Sequence, residues 1–250
     1  MSLTKSLTAQ QMGEIHALLA EEYGITSLEQ IERAGNRLAQ TAQRLLKGSV
    51  AGQTIIVVAG PGNNGAVGLA AARFLHQEGA TVRLVLSVKP VALHEIAAHQ
   101  YTVLQELGLF AWGLSLSEQE MADLEPIVWT KAALIIDALL SSGIQSEPHG
   151  DMADLIRIVN AVRRPILSFD VPSGLSSDEG FILSPCIQAS ATMTLALPKR
   201  AQIEGWPVVR DLWVADIGVP HSLYKRLRLE VKDIFNGETV VCLGSARKLK

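Results

Sequence analysis

The pattern of apolar and polar positions divides the chain into alternating strands and helices. The continuous apolar run from Ile55 to Ala59 is typical of a strand that is covered on both faces. Further strands are predicted at residues 81–87, 132–140, 166–169, 191–197 and 212–217. Between them, residues 92–107 and 151–162 carry apolar positions at helical spacing, and Ser117–Glu120 begins a short helical stretch. This alternation predicts an α/β fold with a mostly parallel sheet and right-handed crossovers.

Two amphipathic helices are predicted ahead of the first strand. Thr8–Gln11 and Thr26–Glu29 each have the spacing of a capping box, which marks where a helix begins. Because they precede the sheet, these helices form an addition to the α/β core. Their apolar positions exceed what one face of a sheet needs, so we expect them to form part of a dimer interface. The residues concerned are Met12, Leu18, Leu19 and Ile31.

A glycine-rich turn follows the first strand. The segment Gly60-Pro-Gly-Asn-Asn-Gly65 breaks the strand, and a helix is predicted from Leu69 to Leu75. Asn63, Asn64 and Gly65 tolerate left-handed backbone conformations, so they are expected to extend the turn. Such a turn ahead of a helix N-terminus presents backbone N–H groups that bind anions. A turn that only connects strand to helix stays an alternative, since the spacing matches neither the usual GxGxxG nor a P-loop.

Composition narrows the classes of protein that fit the chain. Its 250 residues are 48% hydrophobic and 19% charged, which suits one domain over residues 1–250, with a flexible tail or an interface at 237–250. The formal net charge of -3 gives no support for nucleic acid as a partner. We expect no membrane span, because no apolar run approaches about 18 residues. A cytoplasmic location is predicted, since a signal-peptide pattern is lacking and Cys186 and Cys242 form no CxxC pair.

Polar side chains fall where the predicted strands end, which is where ligands of open parallel sheets bind. Those ends carry Asn63, Asn64, Asp137, Asp170, Ser173 and Lys199. A carboxylate there is costly unless it binds a cation, a hydrogen-bond donor or a substrate hydroxyl, although one aspartate is often only a helix cap. The oxygen donors Asn64, Asp137 and Ser173 suit a hard cation. The six histidines show no metal-ligand spacing and are interpreted as surface or packing residues.

Short motifs along residues 7–220 carry a family resemblance. They are Leu7-Thr-Ala-Gln-Gln-Met12, Glu32-Arg-Ala-Gly35, Gly60-Pro-Gly-Asn-Asn-Gly65, Ala72-Arg73, Asp137-Ala-Leu139, Asp170-Val-Pro-Ser-Gly174, Pro198-Lys199 and Val214-Ala-Asp-Ile-Gly218. Their order and spacing resemble the NAD(P)H-hydrate epimerase family, also called the YjeF N-terminal domain. The resemblance implies a Rossmann-like three-layer α/β/α sandwich, usually a homodimer. It also implies an isomerase that converts the R form of the damaged cofactors NADHX and NADPHX into the S form, which a separate dehydratase repairs.

The same resemblance implies roles for individual residues. Asn63, Asn64, Gly65, Ala66 and Val67 would line the phosphate region of the ligand. A second ligand loop would comprise Ser141, Ser142, Gly143, Ile144, Gln145, Ser146 and Glu147. A potassium ion would be held by Asn64, Asp137 and Ser173. Asp170 would face the hydrate. A carboxylate that exchanges a proton with the ring hydroxyl is a suitable acid–base catalyst.

Two departures from the family pattern leave a second interpretation open. The family turn reads Asn-Asn-Gly-Gly-Asp-Gly, so an acidic side chain is missing at Val67, and Ala66 is expected to be strained if glycine-only angles are needed. The Ser141–Glu147 loop also lacks the usual basic residue. The chain is therefore predicted to be an epimerase or, alternatively, a weakened or inactive nucleotide-binding, dimerising scaffold. An ordinary nicotinamide-dependent oxidoreductase is disfavoured, because no acidic residue ends the second strand.

Overall fold

A mixed sheet of eight strands runs through the described part of the chain. The computed structural model describes residues 6–113, 126–141, 143–144, 146–176, 178, 180–204, 206–229, 231 and 234–249. The strands are β1 (Thr54–Ala59), β2 (Thr81–Leu86), β3 (Ala111–Gly113), β4 (Leu134–Ala138), β5 (Ile166–Phe169), β6 (Ala191–Leu195), β7 (Asp211–Ala215) and β8 (Val240–Ser245). Their spatial order is β3-β2-β1-β4-β5-β6-β7-β8, and each neighbouring pair is parallel except β7 with β8.

Helices cover both faces of this sheet. They are α1 (Ala9–Glu21), α2 (Ser27–Leu45), α3 (Asn63–Gln77), α4 (Glu95–Glu106), α5 (Pro126–Lys131), α6 (Gly150–Ala161), α7 (Arg200–Glu204), α8 (Trp206–Val209) and α9 (His221–Arg226), with 3₁₀ turns at Pro90–Ala92 and Ala246–Leu249. Successive β1 side chains point to opposite faces. Ile55 and Val57 join the core under α1 to α4, whereas Ile56 and Val58 join the core under α6. The predicted three-layer α/β/α sandwich is therefore confirmed.

The N-terminal helix pair is present and begins where the capping boxes predicted. Thr8 Oγ1 accepts a 3.0 Å hydrogen bond from Gln11 N, and Gln11 Oε1 accepts one of 2.9 Å from Thr8 N. Helix α2 packs along α3, and a Cβ on Gly35 would lie only 2.5 Å from Ala70 Cβ. The apolar residues on which the dimer expectation was based are buried inside the chain itself. They are Met12, Leu18, Leu19 and Ile31.

Helix α1 is fastened at both of its ends. At its beginning, Leu7 N donates to Pro198 O at 2.8 Å, and Ala9 N donates to Asp178 Oδ1 at 2.9 Å. Just beyond its end, Glu22 pairs with Arg226 at 2.6 Å, and the hydroxyls of Tyr23 and Ser222 lie 2.9 Å apart. These contacts hold α1 to the segment between β5 and β6, to the segment after β6 and to α9.

Several elements differ from the predictions made for the ends of the sheet. Strands β3 and β8 were not predicted. We predicted a flexible tail or an interface for segment 237–250. This segment contains β8, which pairs antiparallel with β7, and the interface stays a prediction. Arg44 Nη1 donates to Val240 O at 2.8 Å, where that strand begins. The short helix predicted at Ser117–Glu120 lies outside the described residues. Among the described helices, none combines the length and apolar character needed to cross a membrane.

Candidate functional site

A cavity of about 350 Å³ opens at the carboxyl ends of the central strands. β1 lies between β2 and β4, so the order of the strands reverses there. Open parallel sheets bind their ligands at such a switch point. The predicted site residues that line the cavity are Asn63, Asn64, Val67, Ser141 and Asp170, and helices α1 and α2 supply further wall. The structure thus brings parts of both predicted ligand segments and the predicted catalytic aspartate into one cavity.

The glycine-rich turn meets helix α3 differently from the prediction. The helix begins at Asn63 rather than Leu69, and Asn63, Asn64 and Gly65 are helical rather than left-handed. The glycines serve close packing instead, because a Cβ on Gly65 would lie 1.8 Å from Gly60 O. Likewise, a Cβ on Gly60 would lie 1.9 Å from Leu139 O. The first turn of α3 therefore lies directly against the chain that leaves β4, and its first residues, Asn63 and Asn64, line the cavity at the switch point.

The strain expected at Ala66 is absent. Ala66 and Val67 lie in the first turns of α3, and neither has a positive φ. Ala66 N donates to Gly62 O at 2.9 Å, which is an ordinary helical hydrogen bond. Gly65 and Ala66 are buried beneath the cavity wall, whereas Val67 lines it. The departure from the family pattern therefore costs no backbone strain, and it places the apolar side chain of Val67 on the cavity wall.

Asp137, the residue before the last one of β4, is a fully buried carboxylate. Its Oδ2 accepts hydrogen bonds from Ser168 Oγ at 2.7 Å and Ser173 N at 2.9 Å. Its Oδ1 accepts from Ser173 Oγ at 2.6 Å and Leu139 N at 3.3 Å. Burial raises the pKa of Asp137, and the hydrogen bonds from Ser173, Ser168 and Leu139 oppose that rise. These donors satisfy the requirement that a buried carboxylate have partners.

The two other predicted cation ligands connect to Asp137 through Leu140. Ser173 Oγ accepts a 2.9 Å hydrogen bond from Leu140 N, and Asn64 Nδ2 donates a 2.7 Å hydrogen bond to Leu140 O. Asn64, Ser173 and Asp137 are therefore joined in one network behind the cavity wall. The described residues contain no group of three His, Cys, Asp or Glu that could hold a metal. One carboxylate with amide and hydroxyl oxygens is instead a donor set for a hard ion of low charge.

Asp170 and Lys199 form a buried ion pair on the cavity wall. Lys199 Nζ donates to Asp170 Oδ1, and Thr194 Oγ1 donates to the same oxygen at 3.4 Å. Gln202 Nε2 donates to the backbone oxygen of Asp170, and Gln202 Oε1 accepts from Lys199 N at 2.6 Å. Lys199 is only 1% exposed, so its ammonium depends on these partners. Sequence reasoning placed Lys199 at a strand end but gave it no role.

The backbone at Asp170 adopts an uncommon conformation. Its φ is 64°, and a 2.9 Å hydrogen bond from Val171 N to Phe169 O closes a three-residue turn around it. A matching turn surrounds Ala196, also with φ 64°, at the end of the neighbouring strand β6. Conformations of this kind cost free energy and cluster at functional sites. Two adjacent strands thus end in the same tight turn beside the cavity, and one of these turns presents Asp170.

The second predicted ligand loop contributes less than expected. Of the described residues 141, 143, 144, 146 and 147, only Ser141 lines the cavity. Ser142 and Gln145 lie outside the described residues. Gly143, Ile144, Ser146 and Glu147 are not brought to this cavity wall.

A histidine that we had interpreted as a surface or packing residue lines the same cavity. His16 lies on α1, one turn beyond Met12, and its Nδ1 is 2.6 Å from Gln30 Oε1 on α2. Burial lowers the pKa of His16. The sequence did contain a sign of this location. A histidine at helical spacing from a buried methionine lies on the inward side of the helix.

Comparison with known proteins establishes the family. A family model described as YjeF-related protein N-terminus matches residues 27–201. The chain belongs to this family. Its match to the crystal structure of the yeast protein ynu0, YNL200c, has a TM-score of 0.80, covers 96% of this chain and 100% of that one, and shows the same fold at 23% identity.

Several curated proteins with similar sequences are named as NAD(P)H-hydrate epimerases or repair enzymes. The NAD(P)H-hydrate epimerase of Dehalogenimonas lykanthroporepellens is 32% identical over 90% of this chain and 86% of that protein. The NAD(P)H-hydrate epimerase of Weissella koreensis is 32% identical over 87% of this chain and 93% of that protein. The bifunctional NAD(P)H-hydrate repair enzyme Nnr of Moorella thermoacetica is 36% identical over 87% of this chain. The chain spans only 41% of the length of that bifunctional protein.

Proposed function

We propose that the protein is an NAD(P)H-hydrate epimerase, which converts the R form of NADHX or NADPHX into the S form. The observation that carries the proposal is the buried Asp170–Lys199 pair, which faces a cavity at the switch point of the sheet. A carboxylate beside an ammonium offers both a proton acceptor and a proton donor. The N-terminus of α3 lies at the same cavity and suits the phosphates of a dinucleotide. The names of the stand-alone relatives, matched over most of their length, support this function.

The reaction requires inversion at the ring carbon that carries the hydroxyl group. The carbon–oxygen bond must break as the hydroxyl gains a proton and leaves as water, while the electron pair of the ring nitrogen stabilises the carbon. Among the described residues, the hydrogen bonds to the Asp170 carboxylate fall on Oδ1, which leaves Oδ2 for the substrate. We assign proton transfer to Asp170: its carboxylate takes a proton from the Lys199 ammonium and passes that proton to the departing hydroxyl.

We further propose that Asn64, Asp137 and Ser173 hold a potassium ion. The three side chains supply oxygen donors with one negative charge, and burial of Asp137 raises its pKa in a way that a nearby cation would offset. An ion there would supply positive charge behind the segment that leads from β4 to Ser141. The network through Leu140 supports this assignment, because it already gathers the three residues.

The direct test uses pure R-hydrate together with a dehydratase that accepts the S form, and follows the recovery of reduced cofactor. A rate above spontaneous epimerisation is expected. A rate equal to the spontaneous one would overturn the proposal and favour the alternative, an inactive nucleotide-binding scaffold. The observation behind that alternative is the apolar Val67 on the cavity wall, where the family pattern has an acidic residue.

We also propose that the protein works as a homodimer in the cytoplasm, beside a separate dehydratase. The free thiols Cys186 and Cys242 suit a reducing compartment. Since the apolar residues of α1 and α2 are buried in the chain, the dimer contact should lie elsewhere, and Leu107 and Phe110 near edge strand β3 are exposed. Sedimentation that shows only monomer at micromolar concentration would overturn the dimer.

A further inference from the structure

A second titratable side chain faces the cavity from a different wall. Asp170 and Lys199 come from the ends of the strands, whereas His16 comes from α1, which packs over one face of the sheet. Met12 and Gly13, one turn earlier on α1, line the cavity as well. His16, Asp170 and Lys199 therefore line the same cavity, the imidazole from α1 and the ion pair from the segments that follow β5 and β6.

The hydrogen bonds of Gln30 fix which nitrogen of His16 carries the proton. Gln30 Nε2 donates to Ile25 O at 2.8 Å and to His16 O at 3.2 Å, so the amide nitrogen must point at these carbonyls. Gln30 Oε1 then faces His16 Nδ1 at 2.6 Å and can only accept. Nδ1 must therefore be the protonated nitrogen, and Nε2 keeps a lone pair for a ligand in the cavity.

The surroundings of His16 keep the ring neutral near pH 7. Burial is the largest influence and lowers the pKa of His16, and the positive charge of Lys199 lowers it further. The hydrogen bond with Gln30 and the negative charge of Asp170 act in the opposite direction. Both members of the ion pair are thus within electrostatic reach of His16. A neutral imidazole with a fixed tautomer is a suitable general base.

We propose that His16 is a second proton-transfer residue, acting through Nε2 on the ring face opposite the Asp170–Lys199 pair, with Gln30 as its positioning residue. The proposal rests on the epimerase function. The pair on one wall gives a proton to the departing hydroxyl, which leaves as water with the electrons of the carbon–oxygen bond. A water on the other face then forms the new carbon–oxygen bond and gives a proton to Nε2. Afterwards, His16 releases its extra proton to solvent, and the Asp170–Lys199 pair takes a proton from solvent. Over one cycle, one water and one proton leave the site, and one water and one proton enter it.

The experiment compares His16→Gln, Gln30→Glu and the control His99→Gln with the wild type. His99 is exposed on α4, away from the cavity. General-base contributions are typically about 100- to 10,000-fold, so His16→Gln should lower kcat in that range, while calorimetry shows an unchanged Kd for the hydrate. His99→Gln should match the wild type. The wild-type kcat should fall at acid pH as His16 gains a proton.

The Gln30→Glu variant distinguishes a catalytic role of His16 from a purely structural one. Only a catalytic role predicts a shift in the pH dependence of kcat. A carboxylate beside Nδ1 stabilises the imidazolium, so the acid limb of the kcat profile should shift to higher pH. An active wild type with an equally fast His16→Gln variant would overturn the role of His16 and leave the proposed function intact. An unshifted acid limb in Gln30→Glu would also contradict it. A wild type at the spontaneous rate would instead overturn the proposed function, and the role of His16 with it.

Discussion

The ammonium group of Lys199 donates a hydrogen bond to the carboxylate of Asp170, with the two side chains only 1% and 10% exposed. Removing either partner leaves the other charge buried without compensation. We therefore expect Lys199→Met to lower the free energy of unfolding by about 3 to 5 kcal/mol. The double variant Asp170→Asn with Lys199→Met should recover part of this loss, because no buried charge remains. Urea unfolding of both single variants and the double variant measures the coupling.

The exposed pair Arg200–Glu204 provides a matched control for this coupling. It has an ordinary distance of 2.6 Å, but its side chains are 70% and 37% exposed. Its double-variant cycle should give a much smaller coupling, since water screens exposed charges. Equal couplings for the two pairs would show that burial of the Lys199–Asp170 pair has no energetic consequence.

Asp170→Asn tests the catalytic assignment with little change of shape. Asparagine tolerates the left-handed backbone of this position, so the tight turn should persist. If Asp170 transfers the proton, kcat should fall by about 100- to 10,000-fold while the hydrate still binds. The measurement is coupled cofactor recovery with the spontaneous rate subtracted, at a temperature where both proteins are folded. An equally fast variant would remove Asp170 from its role.

Potassium should stabilise the native protein more than sodium does. Ligands that bind only the native state raise the melting temperature. Asp137→Ala removes the charged member of the donor set and should abolish the difference between the two ions. Asp154→Ala, at an exposed position on α6, serves as the control and should keep it. Equal melting shifts for both ions in the wild type would contradict the proposed ion site.

Gly65 and Gly13 should respond in opposite directions to the same substitution. A Cβ at Gly65 meets the backbone oxygen of Gly60 at 1.8 Å, so Gly65→Ala forces the turn away from α3 and should cost about 3 kcal/mol. A Cβ at Gly13 meets nothing within 4 Å, so Gly13→Ala should stabilise α1 by about 0.5 to 1 kcal/mol. Thermal and urea unfolding measure both changes in stability. A Gly65→Ala variant as stable as the wild type would contradict the close contact between Gly65 and the backbone oxygen of Gly60.

His16 should also make the stability of the fold depend on pH. Its pKa is lower in the folded protein than the ordinary 6.5, so the unfolded chain binds more protons below that value. This contribution is complete above about pH 6.5 and is lost as the pH falls toward the lowered pKa. Unfolding free energy should therefore decline below pH 6.5, and less steeply in His16→Gln. Parallel profiles for the two proteins would contradict the shift.

The sequence predicted the strand-end residues well because parallel strands bring their carboxyl ends together. Asn64, Asp137, Asp170 and Ser173 follow apolar runs, and all four lie at that edge of the sheet. Knowledge of the sheet order was not needed for this. The pairing of β8 with β7 was missed, since Val240–Ser245 mixes partly exposed positions and lacks the signal of a strand buried on both faces.

The features that escaped prediction depend on contacts between distant elements. The glycine-rich turn suggested left-handed angles, but Gly60 and Gly65 are required by packing against Leu139 and against each other. His16 and Gln30 are 14 residues apart on different helices, so their contact depends on how α1 packs on α2. Composition and periodicity contain no information about that packing. The tight turn at Asp170 is equally invisible, because most aspartates occupy ordinary backbone regions.

The contacts that hold α1 at both of its ends have a consequence for ligand selectivity. A wall tied to Pro198, Asp178 and Arg226 does not have to close over the ligand, so little ordering entropy opposes binding. The same rigidity limits adaptation, because a wider ring or a bulkier substituent would have to displace a helix that is held at both ends. For the proposed epimerase function, discrimination among damaged nicotinamides should therefore come from steric rejection by a preformed wall.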